Sequence, residues 1–124
     1  MSLEKDITKI MEDTNSIFKP ASKEDVAARR LVLSQTIRKQ LAKLVVALKT
    51  LSDEAYGKDA LSVTTRPLDK FGGYMVDVRG NQTSTKDLYN KIAFHQLLGN
   101  FGFGLEHAVV SQYALTVAIS YSDN

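Results

Sequence analysis

The segment 113–121 has the sequence YALTVAISY, in which odd-numbered residues are large and even-numbered residues are small. A period of two is the pattern of a β-strand and has no helical counterpart. We therefore predict a strand whose odd-numbered face lies in the core, and we place it at the centre of the sheet because its pattern is the strongest in the chain. The small residues on its other face favour a helix packed closely over the sheet.

Two shorter alternating segments precede this strand and predict a β-hairpin. Residues 61–65 place Leu, Val and Thr at alternate positions, and residues 74–78 do the same with Tyr and two Val. Residues 67–73 between them contain a proline and two glycines, which are turn formers. Together with residues 113–121 these segments predict a sheet of about three strands, antiparallel or mixed.

A helix is expected between the hairpin and the last strand. Ser84 or Thr85 can cap its start, and Gly99 is placed to end it in a left-handed conformation. A strand, helix, strand connection is normally a right-handed crossover, so we expect the strands on either side of this helix to be parallel. Residues 99–104 would then form either a flexible connection or a mobile aromatic loop that touches a partner.

The longest predicted element is a helix over residues 23–51, a span without Gly or Pro. It would be roughly 40 Å long at 1.5 Å per residue. Leu31, Ala42 and Val46 lie outside its main apolar stripe, so its apolar surface exceeds what one neighbouring element covers. We expect the first helix or a second copy of the chain to cover the remainder, the alternative being full cover by the chain's own helix and sheet. The main stripe, which we predict to be the oligomer interface, comprises Leu33, Ile37, Leu41, Leu44 and Leu48.

The N-terminal residues complete the predicted fold. Residues 2–18 carry apolar side chains at spacings of three and four, which predicts a first helix that Pro20 stops. The predicted fold is α+β in the order α-α-β-β-α-β, with a small three-stranded sheet covered by helices and one long central helix. Because 124 residues is the usual size of one domain, we expect a single domain over residues 1–124, with residues 1–20 at its periphery.

Composition excludes several classes of protein. The chain is 44% hydrophobic and 24% charged, as ordinary globular proteins are, and a formal charge of +2 is too small to direct the whole molecule to nucleic acid or an anionic membrane. The lack of cysteine excludes disulfides and thiolate metal sites. The charged N-terminus and the lack of a run of about 20 apolar residues favour a cytoplasmic protein with no membrane partner.

No residue pattern predicts catalysis, a cofactor or a metal site. His95 and His107 lack the spacing of metal ligands, and Glu106 is their only acidic neighbour. The glycines of residues 99–104 do not match phosphate-binding fingerprints. We therefore predict no catalytic residue, no cofactor and no metal, and an enzyme centred on His95, His107 and Glu106 stands only as a third hypothesis.

We favour a non-enzymatic protein that mediates protein-protein interaction or assembly as a homo-oligomer, most simply a dimer. Loop residues Asn100, Phe101 and Phe103 would contact an unidentified protein partner. The alternative hypothesis is a nucleic-acid-binding accessory protein that uses the basic second helix. Its candidate contact residues are Arg29, Arg38, Lys39, Lys43 and Lys49, although a solvated helix face explains the same charges.

Overall fold

Three helices and a four-stranded antiparallel sheet form residues 23–122, the part of the chain that the computed structural model describes. The α+β class is therefore confirmed, whereas the first helix predicted at residues 2–18 lies outside the described residues. In chain order the elements are α1 (Lys23–Tyr56), β1 (Ser62–Pro67), β2 (Gly73–Arg79), α2 (Gln82–Asn90), α3 (Ile92–Asn100), β3 (Phe103–Val110) and β4 (Ala114–Tyr121).

β4 lies inside the sheet, whose strand order is β1-β2-β4-β3. Its odd-numbered residues Leu115, Val117 and Ile119 are fully buried, as the period of two predicted. Tyr113, the first odd-numbered residue of the predicted strand, lies before β4 and is 69% exposed, so the prediction is wrong at that residue. The hairpin of β1 and β2 is also confirmed as an antiparallel pair, with Val63 opposite Val78. The sequence pattern therefore identified both the central strand and the face of it that forms the core.

The even-numbered face of β4 differs from the expectation. Thr116 Oγ1 donates a 3.0 Å hydrogen bond to Asp77 Oδ1 on β2, and Arg66 Nε on β1 lies 3.5 Å from Asp77 Oδ2. Val109 pairs with Thr116 across β3 and β4 and is 51% exposed. Polar cross-strand contacts therefore occupy this face, where we expected a closely packed helix.

The structure corrects the number of strands from three to four. Residues 103 and 104, expected in a connection, and residues 105–110, for which no element is predicted, form β3 and pair with β4. The register shifts between Leu105 and His107, so Glu106 is an extra residue and the core-facing positions change from odd to even numbers. This shift breaks the period of two, which is why the strand escaped the sequence pattern.

The prediction of parallel strands around the helical segment is wrong for β2 and β4, which are antiparallel neighbours. The connection through α2 and α3 leads from β2 to β3, and β4 then returns between them. β2 and β3 consequently run in the same direction without pairing. The inserted strand β3 is the reason that the expected crossover does not join adjacent strands.

The helix expected up to Gly99 is two short helices, α2 and α3, separated at Lys91 in an extended conformation. Leu88 and Phe94, one in each helix, are both fully buried. Six residues turn a continuous helix by roughly 240°, so both side chains can face the core only if the helix breaks between them. The free energy gained by burying both side chains therefore exceeds what an uninterrupted helix would contribute.

The start of α2 also differs from the prediction of Ser84 or Thr85 as the cap. Asn81 is the N-cap, and its Oδ1 accepts a 2.8 Å hydrogen bond from the Ser84 N–H. Thr85 is buried inside the helix. Asparagine is among the strongest capping residues, so the observed start follows ordinary helix chemistry one turn earlier than expected.

α1 is the unbroken long helix that the lack of Gly and Pro predicted, and it extends beyond residue 51 to Tyr56. Gly57 ends it with a φ of 105°, and its N–H donates a 3.0 Å hydrogen bond to the Asp53 carbonyl oxygen. The chain divides into two compact units, Met1–Gln35 and Thr36–Asn124. α1 therefore contributes residues 36–56 to the second unit.

A polar contact joins the end of α1 to α2. The Tyr56 hydroxyl donates a 2.6 Å hydrogen bond to Asp87 Oδ2, and Lys91 Nζ lies 3.4 Å from the same oxygen. The hydrogen bond from Tyr56 lowers the pKa of Asp87, and partial burial together with that bond raises the pKa of Tyr56. Both shifts favour an ionised carboxylate beside a protonated phenol.

Leu44→Ala should lower the free energy of unfolding by about 2–5 kcal/mol, because Leu44 is fully buried and its removal leaves a cavity. Val46→Ala, in the same helix but 66% exposed, should change it by less than about 0.5 kcal/mol. Urea unfolding followed by circular dichroism, at a concentration low enough to avoid self-association, measures both variants. Equal losses would contradict the burial of this stripe.

Candidate functional site

The outward face of α1 carries an exposed apolar patch. Leu44 and Leu48 point into the core, and Val46 is turned by about 200° around the helix from each of them. Val46 and Ala42, one turn earlier, are both exposed. The side of α1 opposite the core is therefore apolar at its centre, where a solvated helix usually carries polar residues.

Phe101 stands beside this patch because the end of α3 packs next to α1. The Phe101 N–H donates a 3.2 Å hydrogen bond to the Leu97 carbonyl oxygen, and its own carbonyl oxygen accepts one of 3.4 Å from Gln40 Nε2 on α1. An open groove of about 490 Å³ results. The residues that line the groove are Ala42, Lys43, Val46, Ala47 and Phe101.

Gly102 sets the turn that positions Phe101. Its φ is 86°, and its N–H donates a 3.1 Å hydrogen bond to the Gly99 carbonyl oxygen. A Cβ at residue 102 would lie 2.8 Å from Cε1 of Tyr121. The left-handed glycine predicted at Gly99 is therefore found at Gly102, because α3 continues through Asn100 before it ends.

The three loop residues predicted to contact a partner lie in different environments. Asn100 is exposed and Phe101 is half-buried, whereas Phe103 is only 4% exposed. Phe103 belongs to β3 and packs edge-on against Tyr74 and Tyr121, with ring centroids 6.4 and 5.6 Å apart. Phe103 is therefore a core residue, and Phe101 is the aromatic side chain of this loop that a partner can reach.

The stripe of α1 predicted to be an oligomer interface is occupied by the chain's own core. Its members are at most 9% exposed, apart from a half-buried Leu33. Ala42 and Val46 are apolar side chains that α1 leaves exposed opposite this stripe. The buried members of the stripe are Ile37, Leu41, Leu44 and Leu48.

The basic residues of α1 differ in whether they form ion pairs with carboxylates of the chain. Lys49 Nζ contacts Asp53 Oδ1 and lies 2.9 Å from Asp59 Oδ1. Its hydrogen bonds to these carboxylates raise the pKa of Lys49, and the bond from Lys49 lowers the pKa of Asp53. Lys49 is therefore neutralised locally. The predicted basic residues that are exposed, and that form no ion pair with the side chains described in residues 26–122, are Arg29, Arg38, Lys39 and Lys43.

The residues of the enzyme hypothesis make separate contacts. His95 Nε2 lies 2.7 Å from the Tyr89 carbonyl oxygen, and Glu106 accepts a hydrogen bond from Lys70 that lowers the pKa of Glu106. His107 is exposed on β3. In the described part of the chain, no group of three or more His, Asp or Glu residues could hold a metal ion.

Comparisons of the chain with protein-family models, with curated proteins and with solved structures found no match. None of the helices described in residues 23–122 combines the length and apolar character needed to cross a membrane. The chemistry of the groove and of the charged residues around it is therefore the basis for inferring a function.

Sequence reasoning identified the parts of this groove without joining them. Helical periodicity placed Ala42 and Val46 outside the core stripe. The glycine-rich segment predicted Phe101 to be a loop residue that contacts a partner. Gln40 and Phe101, whose hydrogen bond brings the two parts together, are 61 residues apart in the sequence. No local sequence pattern predicts a contact between residues so far apart in the chain.

Gly99→Ala should raise the free energy of unfolding by about 0.5–1 kcal/mol, since Gly99 is helical and nothing lies within 4 Å of an added Cβ. Gly102→Ala should lower it by roughly 1–3 kcal/mol, because an alanine there is strained at positive φ and meets the Tyr121 ring. Thermal unfolding compares the two variants. A larger loss at Gly99 than at Gly102 would show that the turn lies elsewhere.

Proposed function

We propose that this chain is a non-enzymatic protein-protein interaction protein that acts as a homo-oligomer, with a dimer as its simplest form. The observation that carries the proposal is the apolar groove between α1 and Phe101, with an exposed Val46 at its centre. In soluble proteins, an exposed apolar surface rimmed by polar residues marks an interaction site.

The chemistry of the groove favours a protein surface as its occupant. Val46 and Phe101 supply the large apolar contacts, and Lys43 adds the methylene stem of its side chain. Full burial of one such apolar side chain contributes about 1.5–3 kcal/mol. A few contacts of this size at the centre of an interface supply most of its binding free energy.

A second copy of the chain is the occupant that we propose. Ala42 and Ala47 are small, so another helix can approach α1 closely beside Val46. A second α1 carries the same surface, and two identical surfaces pair about a two-fold axis, which is the commonest symmetry of soluble oligomers. A different protein that uses the same groove would give a complex in place of a self-associated dimer.

The purified protein should be a dimer at tens of micromolar, and Val46→Asp should convert it to a monomer because the new carboxylate would be buried in the interface. Val109→Asp is the matched control, since Val109 is also an exposed valine but lies on the sheet. Light scattering after size-exclusion chromatography measures the mass of each variant.

Two results would contradict the proposal. One is a monomeric wild-type protein at these concentrations. The other is equal dissociation of the Val46→Asp and Val109→Asp variants, which would mean that the groove has no special part in assembly. Circular dichroism of both variants shows that each one is folded.

Nucleic-acid binding is a second candidate, favoured by the three exposed cations of α1 in the second unit. Arg38, Lys39 and Lys43 lie within six residues of sequence, and residues 36–45 contain no acid. Such a cluster can neutralise phosphates. Lys49 is a weaker candidate because Asp53 and Asp59 already bind it.

If this second candidate is correct, the protein should retard single- or double-stranded nucleic acid in a gel, and binding should fall steeply with added salt. The double variant Lys39→Gln/Lys43→Gln should reduce the slope of log affinity against log salt by about two. Lys86→Gln, an exposed lysine on α2, is the control. Absent or salt-insensitive binding excludes this candidate.

A further inference from the structure

We propose that the dimer forms by antiparallel packing of α1 against α1 of a second copy, with the two-fold axis passing beside Val46. This inference rests on the proposed function and adds the orientation of the partner and the charged residues that select it. It uses residues 36–56 of α1, which belong to the second unit.

The spacing of the outward residues suits a helix pair. Lys39, Val46 and Asp53 are seven residues apart in one unbroken helix. A heptad falls short of two full turns by only about 20°, so the three side chains form one stripe along α1. When two helices cross at about 20°, a stripe with this spacing can face the partner helix over several turns. The stripe lies opposite the buried side of α1.

The charges at the two ends of this stripe are opposite. Residues 36–45 contain three basic and no acidic side chains, and residues 47–56 contain Asp53 and Glu54 against one lysine. In an antiparallel pair centred on Val46, Lys39 of one copy and Asp53 of the other both lie about 10 Å from the axis and face each other. This charge complementarity identifies a second copy of the chain as the occupant.

Asp53 can accept the contact that this arrangement requires. Within the described residues, its hydrogen bonds with Lys49 Nζ and with the Asp59 N–H both use Oδ1. Oδ2 keeps its acceptor capacity and belongs to the same ionised carboxylate. The internal network therefore holds the Asp53 side chain in place and leaves one oxygen for Lys39 of the second copy.

Parallel packing is disfavoured by the same residues. In a parallel pair, Lys39 would face Lys39 of the second copy, and Asp53 would face Asp53. Like charges opposite each other on paired helices destabilise the pair. The antiparallel orientation converts both repulsive contacts into two identical attractive ones.

Cysteine cross-linking tests this orientation cleanly because the natural chain contains no cysteine. Under mild oxidation, Val46→Cys should form a covalent dimer, since the two residues meet at the axis and can reach disulfide distance. Lys39→Cys alone should stay uncross-linked, because its two copies would be about 20 Å apart. A mixture of the Lys39→Cys and Asp53→Cys proteins should form a covalent dimer after subunit exchange.

The results distinguish a failure of the antiparallel orientation from a failure of the proposed self-association. Self-cross-linking of Lys39→Cys as readily as Val46→Cys would establish parallel packing and overturn the inference while the proposed function stands. A dimer by light scattering in which Val46→Cys does not cross-link would also overturn the inference. A monomeric wild-type protein would overturn the proposed function itself.

Charge reversal supplies an independent measurement. Lys39→Glu should raise the dimer dissociation constant roughly 2- to 30-fold, from two symmetric surface ion pairs. Lys86→Glu on α2 is the matched control and should leave it unchanged. Analytical ultracentrifugation measures both constants, and an equal effect of the two substitutions would contradict the contact between Lys39 and Asp53.

Discussion

The shared burial of one stripe of α1 and the odd-numbered face of β4 is the constraint on which the rest of the structure depends. Leu44 and Leu48 on the helix and Leu115 and Val117 on the strand are all fully buried. A stripe with the period of a helix and a face with a period of two form one core only when the helix lies over that face of the sheet. The same core requires inward residues from both α2 and α3, so the chain breaks its helix at Lys91.

The candidate site follows from the same packing. α1 hides one side in the core and leaves Val46 on the other, and α3 ends close enough for Gln40 to bond the Phe101 carbonyl oxygen. Gly102 then turns the chain back beside the Tyr121 ring. Val46 and Phe101 therefore line one apolar groove, whereas the open face of the sheet carries polar contacts such as that of Thr116 with Asp77. This difference between the two surfaces is why the groove supports the functional proposal.

The predictions from sequence succeeded where one local period dominates. The long helix, the hairpin of β1 and β2 and the central position of β4 were all predictable because each period runs unbroken through its segment. The prediction failed at β3, where the extra residue Glu106 shifts the period, and at Lys91, where only the competing burial of two separate helices explains the break. The capping residue was missed for a related reason, since several polar residues in succession could each have capped α2.

Local periodicity and the absence of Gly and Pro were sufficient to establish the α+β class and the unbroken course of α1 over residues 23–51, because hydrogen bonds within a helix and alternation along a strand involve residues close in sequence. The choice of which apolar residues enter the core, and which remain on the surface, came from the tertiary arrangement. Helical periodicity placed Leu48 and Val46 on different sides of α1, but only the tertiary arrangement shows that Leu48 lies in the chain's own core and that Val46 stays exposed. The groove likewise depends on Phe101 meeting α1 across 61 residues, a contact that no local pattern encodes.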